Sequence, residues 1–589
     1  MFELLRRDAC GRLGKLQTTH GIITTPALLP VYNPNVPIIS TEELETEFEV
    51  QGLMTNAYVL FRDPKLRESA TEGVHRLLSF HRPIMTDSGA YQAWEYGKEL
   101  ELSNREIIEF EETLNPDIAT TLDVFTETSS RDEAMKGVEE TIRNAIECTR
   151  MRTREGILWA APIQGGRFLD LLRQCARRLS RLDFDLHPIG TLTPSLTSYE
   201  FRDLAEMLIV ARLSSNLARP LHAFGVGHPM VFSLAVGLGA DLFDSAAYAL
   251  YAKDLRYMTV LGTKKLDDIE EFPCFCPVCT RMSPEEVSGM ERPEMVRTLA
   301  RHNLYVSLGE MKTVRQAIRE NRLWELIQER ARAHPRILEA LRYVLKRYKS
   351  RIERFDPNDK KSAFFYSGIE SEMRPEVTRA RRLLKRVSSD HVIYKPPFGL
   401  IPYELKNVYP FGQSIIPEGV GRGRGGREWG VGDLRGTMVS DESIVKKIVD
   451  YQFGIGASGH FDDLDVRRSR RTGRIRYVYS GGILLGTLRS NDGFLIPTIE
   501  GGKRIIRALP FPKARVVVSD EATGFIRKGG SVFAKFVIDA DPDIRPRDEV
   551  LVVDGEDRLL GVGKALLNRD EMRVFSRGVA VKVRSGLTG

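Results

Sequence analysis

The segment PIMTDSG, residues 83–89, is followed by the amphipathic pattern REIIEFEETL, residues 105–114, and by the apolar run DIATTLDVF, residues 117–125. The alternation continues through ILWAAPIQGG, residues 157–166, and FLDLLRQCARRL, residues 168–179. It is typical of a parallel sheet whose strands are connected by helices. Because it extends from residue 1 to about residue 310, its length suits a (β/α)8 barrel. The sequence therefore predicts an α/β fold.

Small and polar residues directly follow the predicted strands of this region. In a barrel of parallel strands, the active site lies at the carboxyl ends of the strands. Six segments therefore become candidates for one site: TDSG (86–89), LDVF (122–125), PIQGG (162–166), PIGT (188–191), FGVG (224–227) and LFDS (242–245).

The composition is that of a globular protein, with 42% hydrophobic and 28% charged residues among 589. A chain of this length is expected to form about three to five domains. It contains no uncharged apolar run of about 18 residues, and its first residues lack the apolar segment of a secretory signal. We therefore expect a cytoplasmic protein that does not enter a membrane.

Arginine is concentrated in three stretches, although the formal net charge is only +6. They span residues 374–386, 422–427 and 467–476. Local basic blocks suit a polyanionic partner. Solvated helix faces and loops would give the same pattern, so both interpretations stay open.

Three of the six cysteines fall within EEFPCFCPVCTRM, residues 270–282. Cys274, Cys276 and Cys279 form C-x-C-x2-C, and His302 follows downstream. Three thiolates and one imidazole would complete a tetrahedral Zn²⁺ shell without an open position, which indicates a structural site. The alternative is a set of reduced thiols and an unrelated histidine.

The rest of the chain changes character twice. Residues 311–355 have a strongly helical, basic pattern, and the Gly/Arg segment 420–436 is too polar to pack, which favours a linker or an RNA-touching loop. From about residue 511, short β-runs separated by Gly, Asp and Pro predict a compact β-barrel.

Two segments carry an aspartate among small residues after an apolar run: MTDSGAYQ, with Asp87, and ADLFDSAAY, with Asp241 and Asp244. Two converging carboxylates are what glycosidic bond chemistry requires, one at the sugar carbon and one moving a proton. An aspartate before Ser or Gly is also a common cap or turn residue, so spacing alone leaves both interpretations open.

The motifs TDSGAYQ, LDVF, PIQGG, GVGHP and DLFDSAAY, followed by C-x-C-x2-C with its distant histidine, resemble in this order those of the tRNA-guanine transglycosylases. YPFGQS (409–414) and a terminal region similar to a PUA domain resemble the archaeal, archaeosine branch. The resemblance implies a zinc-containing TIM-barrel catalytic domain at residues 1–345 and small α+β domains C1 at 346–430 and C2 at 431–510. It also implies an RNA-binding PUA domain at 511–589.

The resemblance further implies the reaction. Archaeal members exchange the guanine at position 15 of the tRNA D-loop for 7-cyano-7-deazaguanine (preQ0), on the way to archaeosine. The cofactor would be Zn²⁺ alone, the partners tRNA and the two bases, and the oligomeric state a homodimer.

By position in the motifs, Asp244 would be the nucleophile that attacks the ribose C1′ and Asp87 the general acid and base. Asp123 would accept the N1 and N2 hydrogens of the purine. Gln164 and Gly190 would face its O6 edge, and Tyr91 would stack on it. Asp241 is assigned to structure, and His222 and His228 are assigned to structure or to the pocket rim.

One departure from the family pattern concerns Thr191, which stands where the family usually has a second glycine. It lies near the expected O6 contact and bears on base specificity. Rival functions are a related archaeosine synthase, a queuine-type enzyme acting on the anticodon, and a non-catalytic tRNA-binding protein.

We expect basic residues in or beside the loops of the terminal domain to bind tRNA. These residues are Lys513, Arg515, Arg527, Lys528, Lys564 and Arg569.

Overall fold

The computed structural model describes residues 2–90, 102–125, 128, 130–420 and 439–588. Tyr91 and nearly all of the Gly/Arg segment lie outside these ranges. The chain forms two compact units, one of residues 1–319 with 326–344 and one of residues 320–325 with 345–589. Within the described ranges, every helix is too short or too polar to cross a membrane.

The first unit contains both antiparallel and parallel strands. They are β1 (Phe2–Asp8), β2 (Gly11–Thr18), β3 (Gly21–Thr25), β4 (Ala27–Pro30), β5 (Leu53–Asn56), β6 (Ile84–Asp87), β7 (Ile118–Thr120), β8 (Leu158–Ala160), β9 (His187–Ile189), β10 (Leu221–Ala223), β11 (Leu242–Ser245), β12 (Arg256–Thr259) and β13 (Gly262–Lys265).

Helices alternate with these strands and continue to residue 352. They are α1 (Thr41–Thr46), α2 (Ala57–Arg62), α3 (Pro64–Ser69), α4 (Val74–Leu78), α5 (Asn104–Leu114), α6 (Arg131–Met151), α7 (Leu169–Leu179), α8 (Thr193–Thr197), α9 (Phe201–Ser214), α10 (Pro229–Gly237), α11 (Ala247–Lys253), α12 (Pro284–Ser288), α13 (Arg292–Glu320), α14 (Leu323–Ala331) and α15 (Pro335–Ile352).

Two four-stranded parallel sheets lie at the centre of the first unit. One has the order β4-β11-β10-β9 and the other β5-β6-β7-β8. Parallel bridges join the sheets, between Val31 and Met54 beside β4 and β5, and between Ala160 and Leu186 beside β8 and β9. The alternation of strands and helices in the sequence therefore corresponds to parallel strands with crossover helices, as predicted.

The central strands are short and buried. All four residues of β5 (LMTN) and of β11 (LFDS) are buried, as expected for parallel strands covered on both sides. One hydrophobic cluster joins strand residues to the amino-terminal hairpin. Its members include Phe2, Leu16, Ile23, Met54, Met85, Ile118, Ala160, Leu186 and Leu242.

The crossover helices follow from local sequence signals. Helix α6 begins after Ser130, whose side chain accepts a hydrogen bond from the Glu133 N–H, and two acidic residues occupy its first turn. Its buried residues recur at helical spacing, among them Ala134, Val138, Ala145 and Cys148. The helix therefore turns one apolar face inward and leaves a charged face outward.

Asp241, which directly precedes β11, is a buried structural residue. Its carboxylate accepts hydrogen bonds from Arg12 Nε at 2.9 Å and from the Leu221 N–H at 2.8 Å. Both Asp241 and Arg12 are almost completely buried. Arg212 Nη1 lies 3.8 Å from the same carboxylate, so Asp241 fixes the amino-terminal hairpin to the sheet within a buried group of three charges.

A second charge cluster lies at the amino-terminal end of β7. Asp117 is buried and accepts hydrogen bonds from the backbone N–H groups of His20 and Ile84, at 2.8 and 2.9 Å. His75 Nε2 lies 2.9 Å from the same carboxylate, and the rings of His20 and His75 stack. Burial would raise the pKa of Asp117, but His75 and these backbone donors hold it well below its ordinary value.

The second unit is built from small sheets. Its strands are β14 (Phe364–Phe365), β15 (Val392–Lys395), β16 (Gly399–Pro402), β17 (Ser414–Ile415), β18 (Leu464–Arg468), β19 (Ile475–Ser480), β20 (Ile483–Leu488), β21 (Leu495–Pro497), β22 (Arg515–Val518), β23 (Val532–Phe533), β24 (Val537–Ala540), β25 (Glu549–Val553), β26 (Leu559–Ala565) and β27 (Val579–Gly586). Its later helices are α16 (Pro375–Leu384), α17 (Asp441–Phe453), α18 (Ile499–Ala508), α19 (Asp520–Arg527) and α20 (Arg569–Met572).

Two sheets dominate the carboxy-terminal half of this unit. Strands β18 to β21 form an antiparallel sheet in sequence order, and the last six strands form one sheet in the order β23-β27-β26-β25-β22-β24. The predicted β-structure after residue 511 is therefore present as a single six-stranded sheet.

Two arginines of the first stretch, Arg374 and Arg379, are buried among acidic residues and serve the fold, whereas Arg381 of the same stretch is exposed. Arg374 is 1% exposed and lies between Glu325 and Glu376. Arg379 is also buried and faces Glu353 and Asp548. By contrast, the arginines between residues 467 and 476 are all exposed.

Four of the six basic residues expected to bind tRNA are likewise paired with acidic residues. The pairs are Lys513 with Asp543, Arg515 with Asp557, Lys564 with Asp359 and Arg569 with Asp539. Arg515 is buried, whereas Arg527 and Lys528 are exposed. Burial among partners removes Arg515 from any direct role in binding RNA.

Candidate active site and metal centre

The carboxyl ends of the central strands gather the residues that the sequence singled out. Asp87 ends β6, Asp123 follows β7, Gln164 follows β8 and Gly190 follows β9. Asp244 lies within β11, which completes the group. Tyr91 lies outside the described residues, so its expected stacking position stays a prediction.

Asp244 is held through one of its two carboxylate oxygens. The Gly225 N–H donates to Oδ1 at 3.0 Å, and His222 Nε2 lies 3.0 Å from the same atom. Gly225 has a φ of +69°, and a Cβ there would lie 2.2 Å from Thr193 Oγ1. Only glycine therefore fits this turn, which directs the N–H at the carboxylate.

Asp87 has an environment that favours its protonated form. Asn56 Nδ2 donates to its Oδ2 at 2.9 Å. Burial, together with the charges of Asp123 and Asp244, raises the pKa of Asp87 to about 8, although the N–H groups of Gly89 and Ser88 act in the opposite direction. The charges of Asp123 and Asp244 therefore act on Asp87, in keeping with their common place at the carboxyl ends of the strands.

Asp123 is part of a chain of buried hydrogen bonds. Gln164 Nε2 donates to Asp123 Oδ2 at 2.5 Å, and Thr191 Oγ1 donates to Gln164 Oε1 at 2.8 Å. Ser88 Oγ lies 3.4 Å from the other oxygen of Asp123. Burial raises the pKa of Asp123 to about 6, although the bond from Gln164 lowers it. The chain fixes the orientation of both the amide and the carboxylate.

The neighbouring positions 190 and 191 explain why Gln164 fits. A Cβ on Gly190 would lie 2.1 Å from Gln164 Nε2, so only glycine leaves room for this side chain. The Gly190 N–H donates to Ile163 O at 3.0 Å. Because this N–H already has a partner, Gly190 would contact a base through another of its atoms. Otherwise it would share the N–H between Ile163 O and the base in a three-centre hydrogen bond.

Thr191 adopts the left-handed conformation, with φ of +62°. This conformation is unfavourable for a β-branched residue and suits the glycine that the family usually has here. The threonine is buried, and its hydroxyl bond to Gln164 offsets part of that cost. Thr191, which departs from the family pattern, therefore bonds directly to Gln164, the residue expected at the O6 edge.

Two residues of the site were not expected from the sequence. Asn56 contacts Asp87, and His222, assigned to structure or the rim, contacts Asp244. The position of His222 in an apolar strand beside the LFDS strand was the only signal for it. His228, by contrast, accepts a hydrogen bond from the Met230 N–H and caps α10, as a structural residue would.

These side chains can perform acid–base and nucleophilic chemistry together. A protonated carboxyl beside an oriented carboxylate is the arrangement in which one group donates a proton while the other attacks. The third carboxyl group, Asp123, provides an acceptor for N–H groups of a ligand. Such a site suits replacement at a glycosidic carbon.

The cysteine cluster forms a separate centre in the first unit. Cys276 Sγ lies 3.6 Å from Cys279 Sγ, and His302 Nδ1 lies 3.4 and 3.3 Å from these two sulfurs. The Cys274 thiol belongs to the same group, whose donor atoms all lie within 4.8 Å of one another. Ligands around a tetrahedral zinc ion lie about 3.6–3.8 Å apart, so the cluster can hold a metal ion of this size.

The surroundings of His302 prepare it as a ligand. Its Nε2 lies 2.9 Å from Met258 O, and donation to this carbonyl leaves the lone pair of Nδ1 directed at the thiols. The ring of Tyr257 stacks on His302 with centroids 3.6 Å apart. The Tyr257 hydroxyl also lies 3.4 Å from Cys279 Sγ. The imidazole is therefore fixed in both tautomer and orientation.

Comparisons with known proteins agree in placing this chain. Residues 8–336 match the family described as queuine tRNA-ribosyltransferase, residues 443–512 the patch-forming domain C2 of tRNA-guanine transglycosylase, and residues 514–587 the PUA domain. A tRNA-guanine(15) transglycosylase of Thermococcus kodakarensis is 44% identical, over 100% of this chain and 99% of the relative. That of Methanocaldococcus jannaschii is 41% identical over the same shares of the two chains.

We expect the purified protein to hold one metal ion per chain at the cysteine cluster. Cys276→Ser should lower the bound metal at least about tenfold, because a thiolate ligand is lost. Elemental analysis by mass spectrometry measures this directly. Cys148→Ala, which changes a buried cysteine outside the cluster, is the control and should keep its metal. Equal metal content in wild type and Cys276→Ser would contradict the assignment.

Proposed function

The chain belongs to the tRNA-guanine transglycosylase family, and from this premise we propose that it exchanges guanine 15 of the tRNA D-loop for 7-cyano-7-deazaguanine. The single observation that carries the proposal is the set of Asp87, Asp123 and Asp244 at one end of the parallel strands. Relatives that match over their full length are tRNA-guanine(15) transglycosylases, which supports exchange of guanine at this position.

The proposed scaffold of the reaction is a closed (β/α)8 TIM barrel. The bridges beside β4 and β5 and beside β8 and β9 support closure, because they connect both ends of the two parallel sheets. We further propose the four domains expected from the resemblance: catalytic, C1, C2 and PUA. Closure explains why residues from seven different strands can meet at one site.

In the first half of the reaction, Asp244 attacks the ribose C1′ of the nucleotide. Gly225 and His222 both contact Oδ1, so Oδ2 is the oxygen that forms the new bond. As the C1′–N9 bond breaks, Asp87 gives its proton to the guanine, which leaves as a neutral base. The product is a covalent glycosyl ester on Asp244.

In the second half, the incoming base takes the place of guanine. Its nitrogen attacks C1′ and its proton passes to Asp87, while the C1′–O bond breaks and Asp244 returns to a carboxylate. Two inversions retain the configuration at C1′. The protein needs no oxidant or nucleotide, because the ester conserves the energy of the glycosidic bond.

Asp123 is the proposed acceptor for the N1 and N2 hydrogens of the purine. Gln164 uses one N–H on Asp123, and its second N–H can reach the O6 edge. The fixed orientation of this amide makes Gln164 the stronger O6 donor of the proposed pair with Gly190. Tyr91 remains the proposed stacking residue.

The proposed metal ion is Zn²⁺ with a structural role. Cys274, Cys276, Cys279 and His302 would fill a tetrahedral shell, which leaves no position for water or substrate. Its donor set of three thiols and one imidazole supports zinc over harder cations such as Mg²⁺. When bound, the ion would cross-link the loop after β13 to helix α13.

We also propose that the second unit and a homodimer hold the tRNA. The exposed arginines between residues 467 and 476 and the exposed pair Arg527 and Lys528 support a role for this unit in phosphate contact. The guanine must leave the tertiary structure of the tRNA to reach a recessed site, which requires a firm hold on the RNA.

The exchange itself is tested with labelled guanine and an unmodified tRNA transcript. Label should enter with wild-type protein and not with Asp244→Asn or with a transcript that lacks guanine 15. Asp254→Asn makes the same change at an exposed carboxylate after α11 and should exchange at the wild-type rate. Addition of 7-cyano-7-deazaguanine should then release the label. A protein that binds tRNA but never incorporates label would overturn the proposal.

A second prediction concerns pH. Asp87 must carry a proton to expel guanine, so the rate of guanine release under single-turnover conditions should fall as the pH rises through about 8. Asp123→Asn removes a neighbouring negative charge that raises this pKa, so the alkaline decline should move to lower pH. If the rate of guanine release fell at the same alkaline pH in Asp123→Asn as in wild type, this result would contradict the coupling between Asp123 and Asp87.

A further inference from the structure

His222 lies in the interior of the first unit beside the proposed nucleophile. It is the middle residue of β10, is 0% exposed, and pairs in register with Leu242 of β11. Asp244 stands two residues further along β11, so its side chain leaves the strand on the same side as Leu242. This placement brings His222 Nε2 to 3.0 Å from Asp244 Oδ1.

The imidazole has no competing polar contact among the described residues. Neither of its buried ring nitrogens makes a well-aligned hydrogen bond there, and the one ion-pair contact that it makes in this part of the chain is that of Nε2 with Asp244 Oδ1. The ring also meets Phe224 edge to face, with centroids 4.7 Å apart. A buried imidazole costs free energy unless it finds a partner, so this geometry commits the ring to Asp244.

The contact is close but not yet aligned, which is common for groups that tighten only when substrate binds. A small rotation of the Asp244 carboxylate would direct Oδ1 at the imidazole N–H while the Gly225 N–H retains its bond. Two donors on Oδ1 would then present Oδ2 to the sugar. The same donors would stabilise the charge that returns to the carboxylate when Asp244 is the leaving group.

We propose that His222 is a positioning residue, which donates through Nε2 to Asp244 Oδ1 and thereby orients the nucleophile in both halves of the exchange. The inference rests on the proposed function, since it assigns a task to His222 within that reaction. His222 would thus join the Gly225 N–H as a donor to Asp244 and would have no part in binding the base.

The test compares His222→Gln with His222→Asn. The amide nitrogen of glutamine can occupy the place of Nε2, whereas that of asparagine reaches only the place of Nδ1. We expect His222→Asn and the apolar His222→Phe to lower kcat of guanine exchange about a hundredfold. His222→Gln should recover most of this loss, and KM for tRNA should change less than about threefold in all three.

His187→Phe is the matched structural control. His187 is a buried histidine of the neighbouring strand β9, and it contacts Ala161 O and Arg219 instead of the carboxylates. Its replacement should lower the melting temperature and leave kcat near the wild-type value. A fall in kcat equal to that of His222→Phe would show that general loss of packing explains both variants.

The outcomes separate the inference from the proposed function. If wild-type protein fails to exchange guanine, the proposed function itself is wrong. If wild type exchanges guanine but glutamine and asparagine at position 222 give equal rates, only the role of His222 is overturned. If His222→Phe does not fold, the comparison of the two amide variants still decides, because both retain a polar side chain.

Discussion

The concentration of three carboxyl groups at one end of a parallel sheet is the constraint on which the site depends. Two carboxylates about 4 Å apart repel by about 4 kcal/mol at the effective dielectric near a protein surface. Each charge-assisted donor returns only about 1.5–3 kcal/mol. Burial is the larger cause of the pKa of about 8 at Asp87, and the charges of Asp123 and Asp244 add to it, so Asp87 is the carboxyl group that keeps its proton. In the proposed reaction, burial and repulsion together make Asp87 the acid and leave Asp244 as the nucleophile.

Two aspartates three residues apart show how the fold separates structure from chemistry. Asp241 is saturated by Arg12 and by the Leu221 N–H, so its charge is neutralised in the interior. Among the described residues Asp244 has its contacts on Oδ1, and the proposed reaction uses Oδ2 for the new bond. The backbone alternation of β11 and its neighbours decides which carboxylate meets a guanidinium and which faces the site.

Sequence patterns predicted the strand–helix alternation, the cysteine cluster and the gathering of Asp87, Asp123 and Asp244, because each depends on local periodicity or on the end of a strand. They left the role of the arginines at residues 374–386 open, since only tertiary pairing shows that Arg374 is neutralised by Glu325 and Glu376. They also missed the contacts that His222 and Asn56 make, because the partners of these two residues lie on other strands. The sequence of one segment does not show which residues of another strand its side chains contact.

The most direct measurement is the identification of the covalent intermediate. The protein and unmodified tRNA are mixed without free base, denatured, digested and examined by mass spectrometry. The account predicts a ribose-linked peptide at Asp244, formed by wild type, absent from Asp244→Asn, and resolved on addition of guanine. A linkage at Asp87, or rapid exchange with no covalent species under any quench, would contradict it.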